Sequence, residues 1–177
     1  MIIAVMLFSL IAGAVVQSVL PGIAFLGRAR LPILMSIVIY YSLVRERGIV
    51  LTAAVLAGIL EDALSPLPLG YSAVCLSILG IVVNRFKDDL FSESFLTTIV
   101  VGAAAGIMIS AGMSILLWKG DLIMDPFWWI VLKAVGSGLL GAVCVPTVFY
   151  MMMGLDRMVG NVQEKRHPFD DEAIRYI

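Results

Sequence analysis

The chain has 177 residues, of which 61% are hydrophobic and only 14% are charged, and its formal net charge is −1. Soluble domains have roughly 45–50% apolar and about 25% charged residues, so this composition predicts an integral membrane protein. The near-neutral balance excludes the basic surplus that nucleic-acid-binding proteins usually carry. Cys75 and Cys144 lie in separate apolar runs, and the single histidine, His167, lies near the C-terminus. We therefore expect no metal site and no cofactor.

Six apolar runs follow one another along the chain, and each predicts a helix. A membrane-spanning helix needs about 20 residues, whereas the second, third and fourth runs have 14 to 16. Thinning of the bilayer, snorkelling ends or burial inside a bundle could accommodate such short helices. The first run lacks the basic start of a signal peptide, so we interpret it as a retained span. The runs are Met1–Leu20, Leu31–Val44, Ile49–Leu64, Leu69–Asn84, Ser94–Trp118 and Phe127–Met153.

These runs predict an all-α fold, a polytopic membrane bundle of six transmembrane helices. We assign residues 1–156 to this domain and residues 157–177 to a charged cytoplasmic tail. Five spans is the alternative, if the third and fourth runs form a re-entrant pair. Lysine and arginine are more numerous on the side that holds the N-terminus and the tail, which predicts that both termini are cytoplasmic. The three tryptophans, at positions 118, 128 and 129, fall at the opposite interface, as expected of an aromatic belt.

Small residues recur at four-residue spacing on three of the predicted helices. Helices in lipid associate through close backbone packing and interhelical hydrogen bonds, so these stripes predict contact faces within the bundle. A homodimer interface is the alternative. The stripes are Gly102, Gly106, Ser110 and Ser114; Ala134, Gly138, Ala142 and Pro146; and Ala54, Gly58 and Asp62.

The stretch GILEDALSPLPLG, residues 58–70, places two adjacent carboxylates, Glu61 and Asp62, before a short turn. Pro68 would start the fourth helix, so the amides of residues 69–71 would have no intrahelical acceptors. A carboxylate near this positive helix end would accept from them and be stabilised by the helix dipole. We predict that Asp62, which continues a small-residue stripe, points inward as a staple of the hairpin. Glu61 would point towards the membrane interface.

Lys133 is expected one to two helical turns below the same interface. Charged groups inside membrane helices are costly and tend to pair or to line a cavity. We therefore predict that Lys133 pairs with Asp62 or Glu61, although a lysine can also snorkel alone. Proton relay or ion coupling is a further alternative. No acid inside any other predicted span and no inverted repeat supports it.

Two further segments are expected at the cytoplasmic side. Residues 85–94 alternate charges with aromatic and aliphatic residues, which indicates a short amphipathic segment at the interface, a docking site or a solvated loop. The tail from Asn161 mixes both signs of charge, and disorder is the default for so polar a terminus. Its apolar end, Ile174–Ile177, suggests docking on a cytoplasmic partner as an alternative.

Residues 28–112 resemble MreD, the membrane component of the bacterial rod-shape system, or elongasome. The resemblance is strongest over residues 45–75, and its core is the arrangement G-x-x-x-D-x-x-S-x-x-P-L-G. Two features depart from the family pattern, namely the acidic pair and the charged tail. The matching residues are Gly58, Asp62, Ser65, Pro68, Leu69 and Gly70.

The resemblance implies a non-enzymatic scaffold in the bacterial cytoplasmic (inner) membrane. MreD-like proteins bind MreC, a single-span membrane protein, and help couple peptidoglycan-synthesising glycosyltransferases and transpeptidases to the MreB cytoskeletal filament. The absence of nucleotide-binding, zinc-protease and hydrolase motifs from the sequence agrees with a protein that is not an enzyme.

The resemblance also implies a fold similar to the S-components of energy-coupling-factor vitamin transporters. A small-molecule-binding transporter subunit is therefore the alternative function. Such a site would need convergent polar and aromatic groups around an outer cavity of at least about 300 Å³. The candidates are Gln17, Glu61, Asp62, Tyr71, Lys133 and the tryptophans.

Overall fold

A computed structural model describes residues 2–19, 31–65, 70–87, 95–119 and 127–158. Within these ranges the chain forms six α-helices and no strand, which confirms the all-α prediction. Most of the predicted tail, from residue 159 onwards, lies outside the described residues. The helices are α1 (Ile2–Val19), α2 (Ile33–Val44), α3 (Arg47–Ala63), α4 (Tyr71–Arg85), α5 (Phe95–Lys119) and α6 (Phe127–Met158).

Two of these helices have the length and apolar composition needed to cross a membrane. The qualifying segments are Leu96–Ser114 in α5 and Trp128–Met158 in α6. The helices α1, α2 and α4 are apolar but shorter. The last helix reaches Met158, so the predicted domain boundary at residue 156 falls inside its final turn.

Successive helices run in opposite directions, which gives the bundle two distinct ends. Gln17, near the end of α1, contacts Leu34 at the start of α2. Asp62, near the end of α3, contacts the start of α4. We call the end that contains Asp62 the hairpin end. The opposite end, where Arg45 follows α2 and meets Asp156 near the end of α6, is called the arginine end.

The shortest helix, α2, lies at the centre of the bundle. Its nine consecutive residues Leu34–Ser42 are all buried, because α1, α3, α4 and α6 pack around it. Its 12 residues extend only about 18 Å at about 1.5 Å per residue, well short of a hydrocarbon core about 30 Å thick. Burial inside the bundle therefore accounts for the short second run.

The outer helices expose apolar side chains in stripes. In α4 the exposed stripe contains Val74, Ile78 and Ile81, and in α6 it contains Val135, Leu139 and Val143. Residues three or four positions apart share one helix face, so each set forms a continuous apolar strip on the outside of the molecule. Soluble monomers rarely expose large contiguous apolar patches. The exterior of this bundle is thus apolar on at least two sides.

Glycine permits close contact between α5 and α6. A methyl group added at Gly102 would overlap the carbonyl oxygen of Gly141, and one added at Gly106 would overlap that of Ser137. The Ser137 hydroxyl donates a hydrogen bond to the carbonyl oxygen of Gly106 at 3.0 Å. Gly102 and Gly106 therefore form a contact face inside the bundle, as predicted.

The face that α6 presents differs in part from its predicted stripe. Gly138 packs against Ile107 and the backbone of Ala103, in agreement with the prediction. Ser137 and Gly141 also lie against α5, but they are not members of the four-residue stripe. A helix has 3.6 residues per turn, so positions three and four apart share a face, and a strict four-residue count omits some of them.

Candidate functional site

Asp62 closes the hairpin between α3 and α4. The residue is only 2% exposed. One carboxylate oxygen accepts a hydrogen bond from the Gly70 amide at 2.7 Å, and the other accepts one from the Ser72 amide at 3.1 Å. These amides belong to the N-terminus of α4, where intrahelical acceptors are lacking and the helix dipole is positive. The prediction that Asp62 points inward and staples the hairpin is confirmed.

Other residues of the hairpin motif shape the same turn. Gly70 is the N-cap of α4 and has a φ of +108°, a left-handed conformation that favours glycine. The Ser65 amide donates to the backbone carbonyl of Asp62 at 3.1 Å. α4 begins at Tyr71, whereas Pro68, its predicted start, and Leu69 lie outside the described residues. The described motif residues thus hold backbone in place.

Gly58 sets the distance between the two helices of the hairpin. A methyl group added there would overlap the backbone nitrogen and Cα of Ala73 in α4. This approach lies one helical turn before Asp62 on the same face of α3. The closeness of the two helices thus helps to bring the Asp62 carboxylate within reach of the α4 amides.

Of the two predicted partners of Lys133, the structure excludes Asp62 and leaves Glu61. The partners of the Asp62 carboxylate are backbone amides and not Lys133. Glu61 and Lys133 are both half-buried, and each has an interaction in the structure. A pair between Glu61 and Lys133 stays a prediction.

The arginine end contains a second buried carboxylate. Arg45 and Asp156 are 2% and 4% exposed, and Nη2 of Arg45 lies 3.0 Å from Oδ2 of Asp156. The Tyr40 hydroxyl donates to the same carboxylate oxygen at 2.7 Å. Buried charges are costly unless they are paired and hydrogen-bonded, and here the carboxylate has both kinds of partner. These contacts join α6 to α2 and to the residue that follows it.

Asn84 joins α4 to the same corner of the bundle. Its buried side-chain amide donates to the backbone carbonyls of Ser42 and Arg45, at 2.8 and 3.0 Å. These carbonyls belong to the C-terminal end of α2, where intrahelical donors are lacking. Three helices therefore meet at the arginine end through polar side chains.

Sequence reasoning missed this polar network and placed no second acid inside the bundle. In the sequence, Arg45 counts only among the basic residues that predict the orientation, and Asp156 only as the predicted end of the membrane domain. One signal was available, since Arg45 directly follows the second apolar run, Asp156 lies three residues after the sixth, and both run ends are predicted on the same side. An arginine and an aspartate placed at neighbouring helix ends are candidates for a pair.

A cleft of about 410 Å³ opens at the arginine end, between the start of α3 and the end of α4. The outer ligand pocket considered above would instead be lined by groups such as Glu61, Asp62 and Tyr71, which lie at the hairpin end. Two of those groups are used in helix capping, because Asp62 binds the α4 amides and the Gln17 side chain accepts from the Leu34 amide at 3.1 Å. The cleft is lined by Glu46, Arg47, Gly48, Asn84, Arg85 and Lys87.

The polar groups at both ends act mainly by holding helix termini together. Among the described residues, no group of three or more histidine, cysteine, aspartate or glutamate side chains is placed to hold a metal ion. Comparisons of the chain with family models, with curated proteins and with solved structures found no match.

Proposed function

We propose that this chain is a non-enzymatic, multi-pass scaffold of the MreD type in the bacterial cytoplasmic membrane. All six helices lie in the bilayer, and both termini are cytoplasmic. The protein acts by binding. It holds the transmembrane helix of an MreC-like single-span partner and so helps couple peptidoglycan-synthesising glycosyltransferases and transpeptidases to an MreB-type filament. No cofactor takes part.

The hairpin motif is the observation that carries this proposal. Gly58 permits the close approach of α3 and α4, Asp62 caps α4, and Gly70 adopts a left-handed turn. Each of these residues therefore has a structural task. Such a motif supports a protein that presents a fixed surface to neighbours.

Membrane placement is supported by the distribution of apolar and basic side chains. Apolar stripes cover the outside of α4 and α6, while the polar network lies inside the bundle. The side chains of several lysines and arginines belong to the arginine end, which favours a cytoplasmic location for that end under the positive-inside rule. These residues are Arg45, Arg47, Arg85, Lys87 and Arg157.

Depletion in a rod-shaped bacterial host tests the function. We expect depleted cells to become round, and we expect the tagged protein to co-purify with a single-span membrane partner. An Asp62→Ala variant should complement poorly at equal membrane abundance, whereas Gly154→Ala should complement fully, since nothing lies within 4 Å of an added methyl group there. Normal rods without a co-purifying partner would contradict the scaffold and favour a transporter subunit.

Cysteine labelling tests the orientation. Both native cysteines are buried and can be replaced, after which single cysteines are introduced at Ser65 and at Gly48, at opposite ends of α3. In intact spheroplasts, a membrane-impermeant maleimide should label the cysteine at position 65 and not that at position 48. Labelling of position 48 alone would reverse the proposed orientation.

A further inference from the structure

The cleft at the arginine end has a surplus of positive charge. Of the described residues, three cations and one carboxylate line it, and together they carry a net charge of +2. Within the described ranges, no carboxylate lies within salt-bridge distance of Arg47, Arg85 or Lys87; the ion pair of this region joins Arg45 to Asp156. Among the described residues, these three cations have no carboxylate partner and can face an anionic ligand.

The start of α3 adds backbone donors to the cleft. Glu46 is the N-cap residue, and its side chain makes no capping hydrogen bond. The first amides of a helix lack intrahelical acceptors, and the positive end of the dipole favours a bound anion. Arg47 and Gly48, which supply two of these amides, both line the cleft. Cationic side chains and helix amides together are the groups that bind phosphate.

Exposed aliphatic side chains lead away from the cleft along both helices. Leu51 lies one turn beyond Arg47 on the same face of α3 and is 44% exposed. On α4, Ile81 and Ile78 lie about one and two turns before Arg85, and Ile78 is 53% exposed. Each arginine thus lies next to exposed aliphatic side chains on the same face of its helix. Cations above an apolar surface match a ligand with a charged head and a hydrocarbon tail.

We propose that this cleft binds the phosphate headgroup of an anionic membrane lipid, whose acyl chains lie along the exposed aliphatic side chains of α3 (Leu51) and of α4 (Ile78 and Ile81). The inference rests on the membrane placement proposed above. Basic pockets between helices on the cytoplasmic side suit anionic headgroups. The ammonium group of a zwitterionic lipid offsets its phosphate, so such a lipid binds more weakly.

The test is a titration of the full-length protein, purified in a neutral detergent, with dioctanoyl phosphatidylglycerol. Bound lipid is counted by native mass spectrometry, and dioctanoyl phosphatidylcholine and inorganic phosphate are titrated in parallel. Arg47→Gln and Arg85→Gln should each weaken binding of phosphatidylglycerol by about fivefold. Glu46→Gln should strengthen it, because the substitution removes the one negative charge from the lining side chains.

Arg157→Gln is the matched control, since Arg157 lies at the same end of the bundle but does not line the cleft. It should leave the affinity unchanged. If Arg157→Gln weakens binding as much as Arg85→Gln does, the effect comes from the general charge of this end of the bundle, and the proposed site is wrong. If inorganic phosphate binds as tightly as phosphatidylglycerol, the cleft is a site for a soluble phosphate, and the proposal of a lipid ligand is wrong.

Membrane fractionation of the same proteins separates the two proposals. Wild-type protein in the soluble fraction would contradict the membrane scaffold itself. Wild-type protein in the membrane fraction that binds phosphatidylcholine and phosphatidylglycerol equally would overturn only the lipid site. Circular dichroism shows whether each variant retains its helices, and Arg85→Lys, which keeps the charge, should retain binding.

Discussion

The two ends of the bundle each bury a carboxylate, but they stabilise it with different partners. Asp62 binds backbone amides eight and ten residues further along the chain. Asp156 binds the side chains of Arg45 and Tyr40, which are 111 and 116 residues away in sequence. The first arrangement fixes a local turn. The second fixes the position of the last helix against the central one.

This difference predicts unequal costs when a partner is removed. A backbone amide that loses its acceptor is a small group without net charge, so the cost of leaving it unpaired is modest. An arginine that loses its carboxylate inside the bundle keeps a full charge in a poorly solvated position, which is far more costly. The arginine end should therefore be the more sensitive of the two.

The largest expected effect is that of Asp156→Ala. It removes the carboxylate from buried Arg45 and the acceptor from Tyr40, and the free energy of unfolding should fall by about 3–5 kcal/mol. The measurement is unfolding of the purified protein in mixed micelles. The double variant Arg45→Met/Asp156→Leu should recover most of the loss, because no charge remains buried. A double variant as unstable as the single one would contradict the ion-pair explanation.

Gly58→Ala should give the next largest effect, at the opposite end. The new methyl group overlaps the Ala73 backbone, so α3 and α4 must separate, at a cost of about 1–3 kcal/mol. Gly154→Ala is the control, since it has open space and should be neutral or slightly stabilising in the same assay. Equal losses from the two substitutions would show that helix separation is not the cause.

Asp62→Ala should cost about 1–2 kcal/mol, in the range of a lost helix cap. Asp62→Asn should cost less, because the side-chain carbonyl oxygen can still accept from one amide. The same unfolding assay ranks both variants against Asp156→Ala. If Asp62→Ala proves as costly as Asp156→Ala, the contrast between a local turn and a long-range pair fails.

The smallest effect concerns Glu61 and Lys133. If they pair, a double-mutant cycle with Glu61→Gln and Lys133→Gln should give a coupling energy of about 0.5 kcal/mol or more. If the losses of stability from the two single substitutions simply add, Glu61 and Lys133 interact with other groups and not with each other. A clear coupling energy would show that the hairpin end also contains an ion pair. The two ends would then differ less in the kind of partner that their charged groups have.

The sequence predicted the local contacts more fully than the distant ones, for a physical reason. The Asp62 cap depends on a carboxylate, a short turn and a helix start that all lie within eleven residues, 62–72, and spacing alone brings these together. The contact between Arg45 and Asp156 depends on how α2 and α6 pack. Apolar runs are uniform in character and do not specify which helices become neighbours.

The same limit applies to the centre and to the helix faces. The second run was recognised as too short to face lipid, but its position among four other helices follows from packing that the run itself does not encode. Gly102, Gly106 and Gly138 were correctly assigned to contact faces, whereas Gly141 was missed. A small-residue stripe identifies a contact surface, and the partner helix selects which of its residues touch.

The Arg45–Asp156 pair has a consequence for biosynthesis. Translation at about 5–20 residues per second delivers the aspartate roughly 5–20 seconds after the arginine. Until then the nascent chain cannot neutralise the arginine with this carboxylate. A product truncated before position 156 would leave that cation without this carboxylate at the arginine end of an unfinished bundle.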